Sequence, residues 1–291
     1  MYTSHSEFGK LKSVFIKGAR EAFVSDQHLE KNWNGLNYLA KPDFAKATEE
    51  YQKFEALLAQ SGADIHYLPQ DDKVNMDSIY CRDASIATNH GIILCNMGKQ
   101  GRAHEPRAEK EAYEMYQMKI LGGIKPPGTL EGGDVAWLDE HTLAVGLTYR
   151  TNEEGINQLK NLLLPHGITV MVVPLPHYKG PSDVFHLMSI LSPVNHDLAV
   201  VYSPLMPIAF RNELLHRGFR LVEVPEEEFE TMGCNVLATA PGKCLIVKGN
   251  PKTEALLKQA GCEVIAYEGS EISVKGGGGP TCLTRPILRY R

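Results

Sequence analysis

The sequence has no apolar run approaching the roughly 20 residues that span a bilayer, no basic stripe and no polybasic run. Its formal net charge is −5, with lysine and arginine dispersed along the chain. Nucleic acid and anionic membranes are therefore not expected partners, and a small molecule is the expected ligand. The opening stretch "MYTSHSEFGKLKS" lacks the charged start and apolar core of a secretory signal, which predicts a cytoplasmic protein. The six cysteines, Cys81, Cys95, Cys234, Cys244, Cys262 and Cys282, form no CxxC pair and show no cysteine–histidine spacing suited to zinc. Neither a structural metal nor a cofactor is expected. Cysteines with apolar neighbours, such as Cys95 in "IILCNM" and Cys244 in "KCLIV", read as small core residues. Only Cys282 stands in a glycine-rich, polar setting.

What is present is an ordinary globular composition over 291 residues, 43% hydrophobic and 22% charged, enough to bury a full core. The pattern repeats. "DVAWLDEHTLAVG" (Asp134 to Gly146) reads as a hairpin, "NEEGINQLKNLLLPHG" has helical spacing, and "ITVMVVPL" is a third strand. The hairpin Ala84 to Cys95 with the helical "EPRAEKEAYEMYQM" gives a second such unit. His186 to Tyr202 followed by "PIAFRNELLHRG" and "FRLVEVP" gives another, as does Asn235 to Gly249 followed by "NPKTEALLKQAG" and "CEVIAYE". The start of the chain supplies a fifth unit in pieces, "LKSVFIKG", a helix over Phe44 to Ser61, and "ADIHYLP". This unit lacks one strand.

The missing strand is expected at the other end of the chain. After the run "VKGGGGPTCLTRP", the apolar stretch Leu283 to Leu288, interrupted by Thr284, Arg285 and Pro286, reads as an edge strand rather than a linker. If it pairs with Leu11 to Lys17, it completes the first unit and closes a ring. The expected fold is α/β, a five-bladed propeller of strand-strand-helix-strand units in a single domain over 1–291. Four consecutive glycines before Cys282 mark backbone that must approach something closely.

The repeat also places chemistry. Arg82 and Asp83 precede the hairpin of the second unit, Glu131 and Asp134 (in "EGGD") that of the third, His186 opens the fourth, and Cys282 stands before the completing strand. Equivalent positions in a pseudo-fivefold ring surround one axis, so two acids, a histidine and a cysteine meet at one mouth. Each has a plainer reading alone: Asp83 as a local ion pair with Arg82, the acids as flanks of a tight Gly-Gly turn, His186 as a hydrogen-bonded core residue.

These motifs, "CRDAS", "TLEGGDVAWL", "VGLTYRTNEEG", "FHLMS" and "GGGGPTCLT", resemble the guanidine-modifying pentein superfamily of dimethylarginine dimethylaminohydrolases, arginine deiminases and amidinotransferases. The resemblance runs from about Leu11 to Leu288. It implies a nucleophile at Cys282, a general acid/base at His186, an orienting carboxylate at Glu131 and a guanidinium-binding carboxylate at Asp83, with Arg82 and Asp134 also expected among the substrate-binding residues. It also implies that Arg150 binds a substrate carboxylate, against the alternative of a solvent-facing residue before a helix. Attack by a Cys282 thiolate, stabilised by an imidazolium or by the bound cation, would give a covalent thiouronium that water hydrolyses to a ureido product such as citrulline.

Within that superfamily Met188 is informative, because arginine deiminases carry an acid at this place. A thioether there favours a substituted guanidine such as dimethylarginine. The ending "GGGGPTCLT" looks more like the deiminases, so arginine deimination stays an alternative. Amidino transfer on the same residues stays another, and a non-catalytic binding module a third. Arg20 to Asp43 is either a substrate-covering lid or a plain long connection. Homo-oligomerisation stays open.

Overall fold

Each repeat folds as the alternation of apolar residues dictates. A computed structural model describes residues 1–291. Four three-stranded sheets form in succession: β4 (Ser85–Thr88), β5 (Gly91–Leu94) and β6 (Ile120–Gly123); β7 (Val135–Trp137), β8 (Thr142–Leu147) and β9 (Thr169–Pro174); β10 (Leu191–Asn195), β11 (Leu198–Val201) and β12 (Arg220–Glu223); and β13 (Leu237–Ala240), β14 (Lys243–Val247) and β15 (Glu263–Tyr267). In every one the first two strands pair antiparallel and the third pairs parallel to the second. A parallel pair needs a crossover. It is made by α4 (Glu105–Met115), α5 (Glu153–Leu163), α6 (Ile208–His216) and α8 (Pro251–Gln259) in turn. Gly242, with φ of +71°, supplies the left-handed residue that closes the β13–β14 hairpin after Pro241.

The fifth sheet joins both ends of the chain, in the order β1 (Tyr2–Thr3), β16 (Arg285–Tyr290), β2 (Lys10–Ile16), β3 (Asp64–Tyr67). β16 pairs antiparallel with β2, Arg285 opposite Phe15 and Arg289 opposite Leu11, and so supplies the strand that the first unit lacked. Its first part is the edge stretch that its proline suggested, with β2 alone beside it, and only its last two residues are flanked on both sides. β1 reaches only Arg289 and Tyr290, so Pro286 lies beyond it, at a register shift where its missing N–H costs no ladder bond. The helix expected from Phe44 is α3 (Phe44–Gln60), capped by the Asp43 carboxylate, which accepts from the Lys46 N–H. Before it, the Arg20 to Asp43 segment holds α2 (Asp26–Asn32) after α1 (Ala19–Phe23) rather than open loop. A short α7 (Glu226–Phe229) was not apparent from the pattern.

Cores lie between sheets and helices. Leu191, Val194, Ala199, Val200, Ile246 and Leu257 are fully buried in the largest, and Leu11, Val14, Ile16, Phe54 and Leu58 in the next. These apolar layers fix the strand ends from which the polar site projects. No helix is long and apolar enough to cross a membrane.

Candidate active site

Five side chains stand just before the first strand of the five sheets: Asp83 before β4, Glu131 before β7, His186 before β10, Asn235 before β13 and Cys282 before β16. Backbone bonds tie these entry segments together. The Arg82 N–H donates to the Cys282 carbonyl at 3.2 Å, and the Gly132 N–H donates to the Asp83 carbonyl at 2.7 Å. Donor atoms of Asp83, Glu131 and His186 lie within 4.8 Å of one another, all three residues buried. Asp83, His186 and Cys282 line one cavity together with Met188 and Asn235.

Electrostatics fixes the charge states. His186 Nε2 donates to Glu131 Oε2 at 2.8 Å. Burial alone would lower the imidazole pKa, but Asp134, Glu131 and Asp83 outweigh it and hold it up to about 9. Glu131 is held well below the usual carboxylate range, its own burial being outweighed by His186 and Arg150. The pair is therefore imidazolium and carboxylate at neutral pH. Burial, reinforced by the Asp83 charge, pushes the Cys282 thiol up to about 11 against the opposing pull of Thr281, Arg82 and Asn235. The resting thiol is neutral.

Asp83 is held from behind. Its Oδ2 accepts from the Arg102 guanidinium, which also donates to both oxygens of Glu105 and to the Tyr80 carbonyl. Its other oxygen, Oδ1, is buried with no donor in the protein, beside His186 Nδ1 at Gly133. An acceptor left free while its twin is anchored is what a carboxylate offers to a cationic N–H fork. Gly133 is essential to that approach, since a Cβ there would overlap both atoms.

Other residues expected at the site take different places. Arg82 does not pair with Asp83. Its guanidinium turns away and donates to Glu7 Oε2 at 2.7 Å. Asp134 is fully buried and does not line the cavity: its oxygens accept from the hydroxyls of Thr148 and Thr151, both at 2.7 Å, and from the Leu187 N–H at 3.0 Å. Asp134 thereby ties the β7 entry to the turn that carries His186, with both of its oxygens already bound to protein donors. Arg150 is not solvent-facing. It is buried, lines the cavity, and donates to Glu131 Oε2 at 3.3 Å and to the Asp183 carbonyl at 3.3 Å.

Several participants were missed. Asn235 Nδ2 approaches Cys282 Sγ at 3.5 Å, while its Oδ1 accepts from the Thr281 N–H and hydroxyl at 3.0 and 2.9 Å. The repeat could have found it, because it occupies the fifth equivalent position. Arg102 and the 176–185 loop, which contributes Tyr178, Lys179 and Asp183 to the cavity, carried no such signal. The four glycines face both ways. Gly276 and Gly278 abut the rings of Tyr38 and Tyr80, Gly279 abuts Asn235, and Gly277 adopts φ of +73°. Gly276 to Gly278 also line the cavity.

The family model described as N,N dimethylarginine dimethylhydrolase, eukaryotic, matches residues 19–289. The chain belongs to that family. It is 28% identical to the N(G),N(G)-dimethylarginine dimethylaminohydrolase of Pseudomonas aeruginosa, over 85% of this chain and 91% of that one. It is 29% identical to the enzyme of the same name from Streptomyces coelicolor, over 84% and 87% of the two chains. A solved structure of the Pseudomonas aeruginosa enzyme, a cysteine-to-serine mutant complexed with citrulline, superposes with a TM-score of 0.76 at 25% identity, covering 94% of this chain and 98% of that chain. Family membership accounts for a chain whose apolar pattern is regular while its polar residues gather at strand entries.

Proposed function

We propose that this protein hydrolyses an N-substituted arginine such as dimethylarginine, releasing the alkylamine and citrulline through a covalent intermediate on Cys282. The observation that carries the reading is the convergence of an unpaired Asp83 oxygen, a Glu131-bound imidazolium and a partly exposed cysteine on one cavity.

Asp83 Oδ1 takes the guanidinium N–H groups and sets the central carbon before Cys282. A thiol held near 11 ionises when that cation arrives, losing its proton to solvent, because the cation supplies the positive charge that the resting site keeps on His186. The thiolate adds to the guanidinium carbon. His186 gives its proton to the departing alkylamine as the carbon–nitrogen bond breaks, leaving a thiouronium on Cys282. The neutral imidazole then takes a proton from water, the hydroxide adds to the same carbon, and the carbon–sulfur bond breaks to release the thiolate as the new hydroxyl gives up its proton to solvent, leaving citrulline. Glu131 holds the imidazolium in orientation throughout. Arg150 lies within the cavity and is the residue assigned to the substrate carboxylate, exchanging its long contact with Glu131 for a bidentate one. Met188, buried in the wall, gives an N-methyl group an apolar surface.

The five sheets are read as blades of one closed propeller in a single domain. β16 from the end of the chain completes the sheet of β2 from its start, while β10 packs on β13, β13 on β2, and β16 on β4. A ring of this kind brings five strand entries to one mouth. The cytoplasm is the assigned compartment, supported by six free cysteines.

The test is mass spectrometry of Cys282 after incubation with arginine, methylated arginines and other guanidines and a rapid acid quench, with released amines and ureido products read in parallel. A trapped adduct on Cys282 with citrulline and alkylamine is expected. Ammonia release from arginine as the faster reaction would make it a deiminase, and amidino transfer to an added amine a transferase.

A further inference from the structure

A second cavity lies behind the active cysteine and is lined by three buried arginines, Arg82 at the β4 entry and Arg285 and Arg289 on β16, together with Ser6 and Glu7. They are 2, 5 and 1% exposed. Their bonds to the protein are few. Arg82 donates to Glu7, Arg285 to the Arg82 carbonyl, and Arg289 Nη1 to the Gly9 and Ala238 carbonyls. Five further nitrogens, Nε and Nη1 of Arg82, Nε of Arg285, and Nε and Nη2 of Arg289, are buried without any acceptor in the protein.

That concentration of donors requires an acceptor. An unsatisfied buried donor costs about 1–3 kcal/mol, more when charged, and buried guanidiniums are otherwise paired. Charge makes the same demand. Glu7 faces Arg82 and Arg289, held below the usual carboxylate range by them despite its burial, and it is already spent on Arg82 and on the Trp137 N–H. Glu109, which bears on Arg285, is pushed by burial up to about 7 and is only partly charged at neutral pH. Three cations thus face little more than one carboxylate. Burial with this imbalance lowers Arg285 and brings Arg289 down to about 10. Water can accept hydrogen bonds but cannot cancel the excess charge. The cavity is the size of a single water or monatomic ion, too small for phosphate or a carboxylate-bearing metabolite.

We propose that this cavity is a binding site for one halide-sized anion, chloride, held by the free guanidinium nitrogens of Arg82, Arg285 and Arg289. The site shares Arg82 with the wall of the substrate cavity but none of its other lining residues, and it does not depend on the catalytic reading. Its ligand locks the N-terminal segment, the β4 entry and β16 together, because those three stretches supply the arginines and Glu7. It also sits one backbone hydrogen bond from Cys282, through the Arg82 N–H.

Protein purified and crystallised throughout in sodium bromide tests this, with diffraction recorded at the bromine absorption edge. The expected result is an anomalous peak in this cavity within about 3.5 Å of the arginine nitrogens. In parallel, the thermal midpoint should rise by about 2 °C or more, saturably, when chloride replaces gluconate at constant ionic strength. Arg289→Lys, which keeps the charge and removes two of the five nitrogens, should reduce that rise; if this variant does not fold, the wild-type map and melts decide alone. A cavity without bromine signal holds only water and overturns the proposal. So does a bromine peak with identical melting in the two salts, since an anion that neutralises buried guanidiniums must stabilise the native state.

Discussion

The charge state of Cys282 is the sharpest consequence of the site's electrostatics. With its thiol pushed up to about 11, roughly 3 in 10,000 molecules carry a thiolate at pH 7.5, against about 1 in 11 for an unperturbed thiol near 8.5. Alkylation by iodoacetamide, which follows the thiolate, should therefore be about 300-fold slower than for a free cysteine at that pH, before any change in intrinsic nucleophilicity. Measured from pH 6 to 11.5, its rate should climb tenfold per unit with no plateau below about pH 10. The readout must be the Cys282 peptide by mass spectrometry. A bulk thiol assay would mix in the other five free cysteines, among them Cys262, whose thiol a hydrogen bond with Cys244 lowers.

Binding of an amidinium that occupies Asp83 without being turned over should move the Cys282 midpoint down, because it places a cation beside a thiol whose ionisation burial and the Asp83 charge oppose. Asp83→Asn removes that opposing charge, so it should lower the midpoint of the free protein while abolishing the further drop on amidinium addition. A free-enzyme midpoint at or below 8.5, or a midpoint indifferent to the amidinium, would refute the argument and return thiolate formation to His186.

Cys282→Ser should retain the fold and less than a tenth of wild-type turnover, read by citrulline formation with circular dichroism as control. His186→Ala should lose turnover yet still bind substrate by calorimetry, since Asp83 holds the guanidinium; loss of binding with native circular dichroism would contradict that division. The His186 pKa is raised to about 9 in the free protein and a bound guanidinium lowers it, so kcat should fall with rising pH at a midpoint below 9. The stability contributed by the imidazolium, up to about 3 kcal/mol, should be complete below about pH 6.5 and lost between there and 9, as denaturant midpoints would record. Asn235→Leu should cut kcat by about 10- to 100-fold through misplacement of Thr281 and Cys282. Met188→Asp should shift the kcat/KM ratio from methylated arginine toward arginine by about 1–2 kcal/mol; wild type that turns over arginine faster than every substituted analogue refutes the role given to Met188.

What the sequence disclosed follows from where each residue sits in the repeat. Asp83, Glu131, His186 and Cys282 are legible because strand entries recur at a readable period, and the same rule reaches Asn235. Periodicity locates an entry but not the direction of a side chain. Arg82 and Asp83 are adjacent at one entry and both border the cavity, yet the Arg82 guanidinium is bound to Glu7 while Asp83 keeps one oxygen free. Asp134 reads as a third acid of the site beside Asp83 and Glu131, but three protein donors already claim its oxygens.

Arg102 escaped for a different reason. It lies between β5 and α4, outside the repeated elements, and reaches Asp83 across 19 positions of chain. Its consequence is chemical. A carboxylate facing a cavity with both oxygens free would turn toward the nearest donor. Arg102, which also donates to both oxygens of Glu105, fixes one oxygen, and backbone bonds from neighbouring strand entries fix the main chain, so Asp83 Oδ1 alone is presented. On the proposed function, a single free carboxylate oxygen and a thioether in the wall should together favour a guanidinium that has an unsubstituted N–H edge on one side and an apolar group on the other.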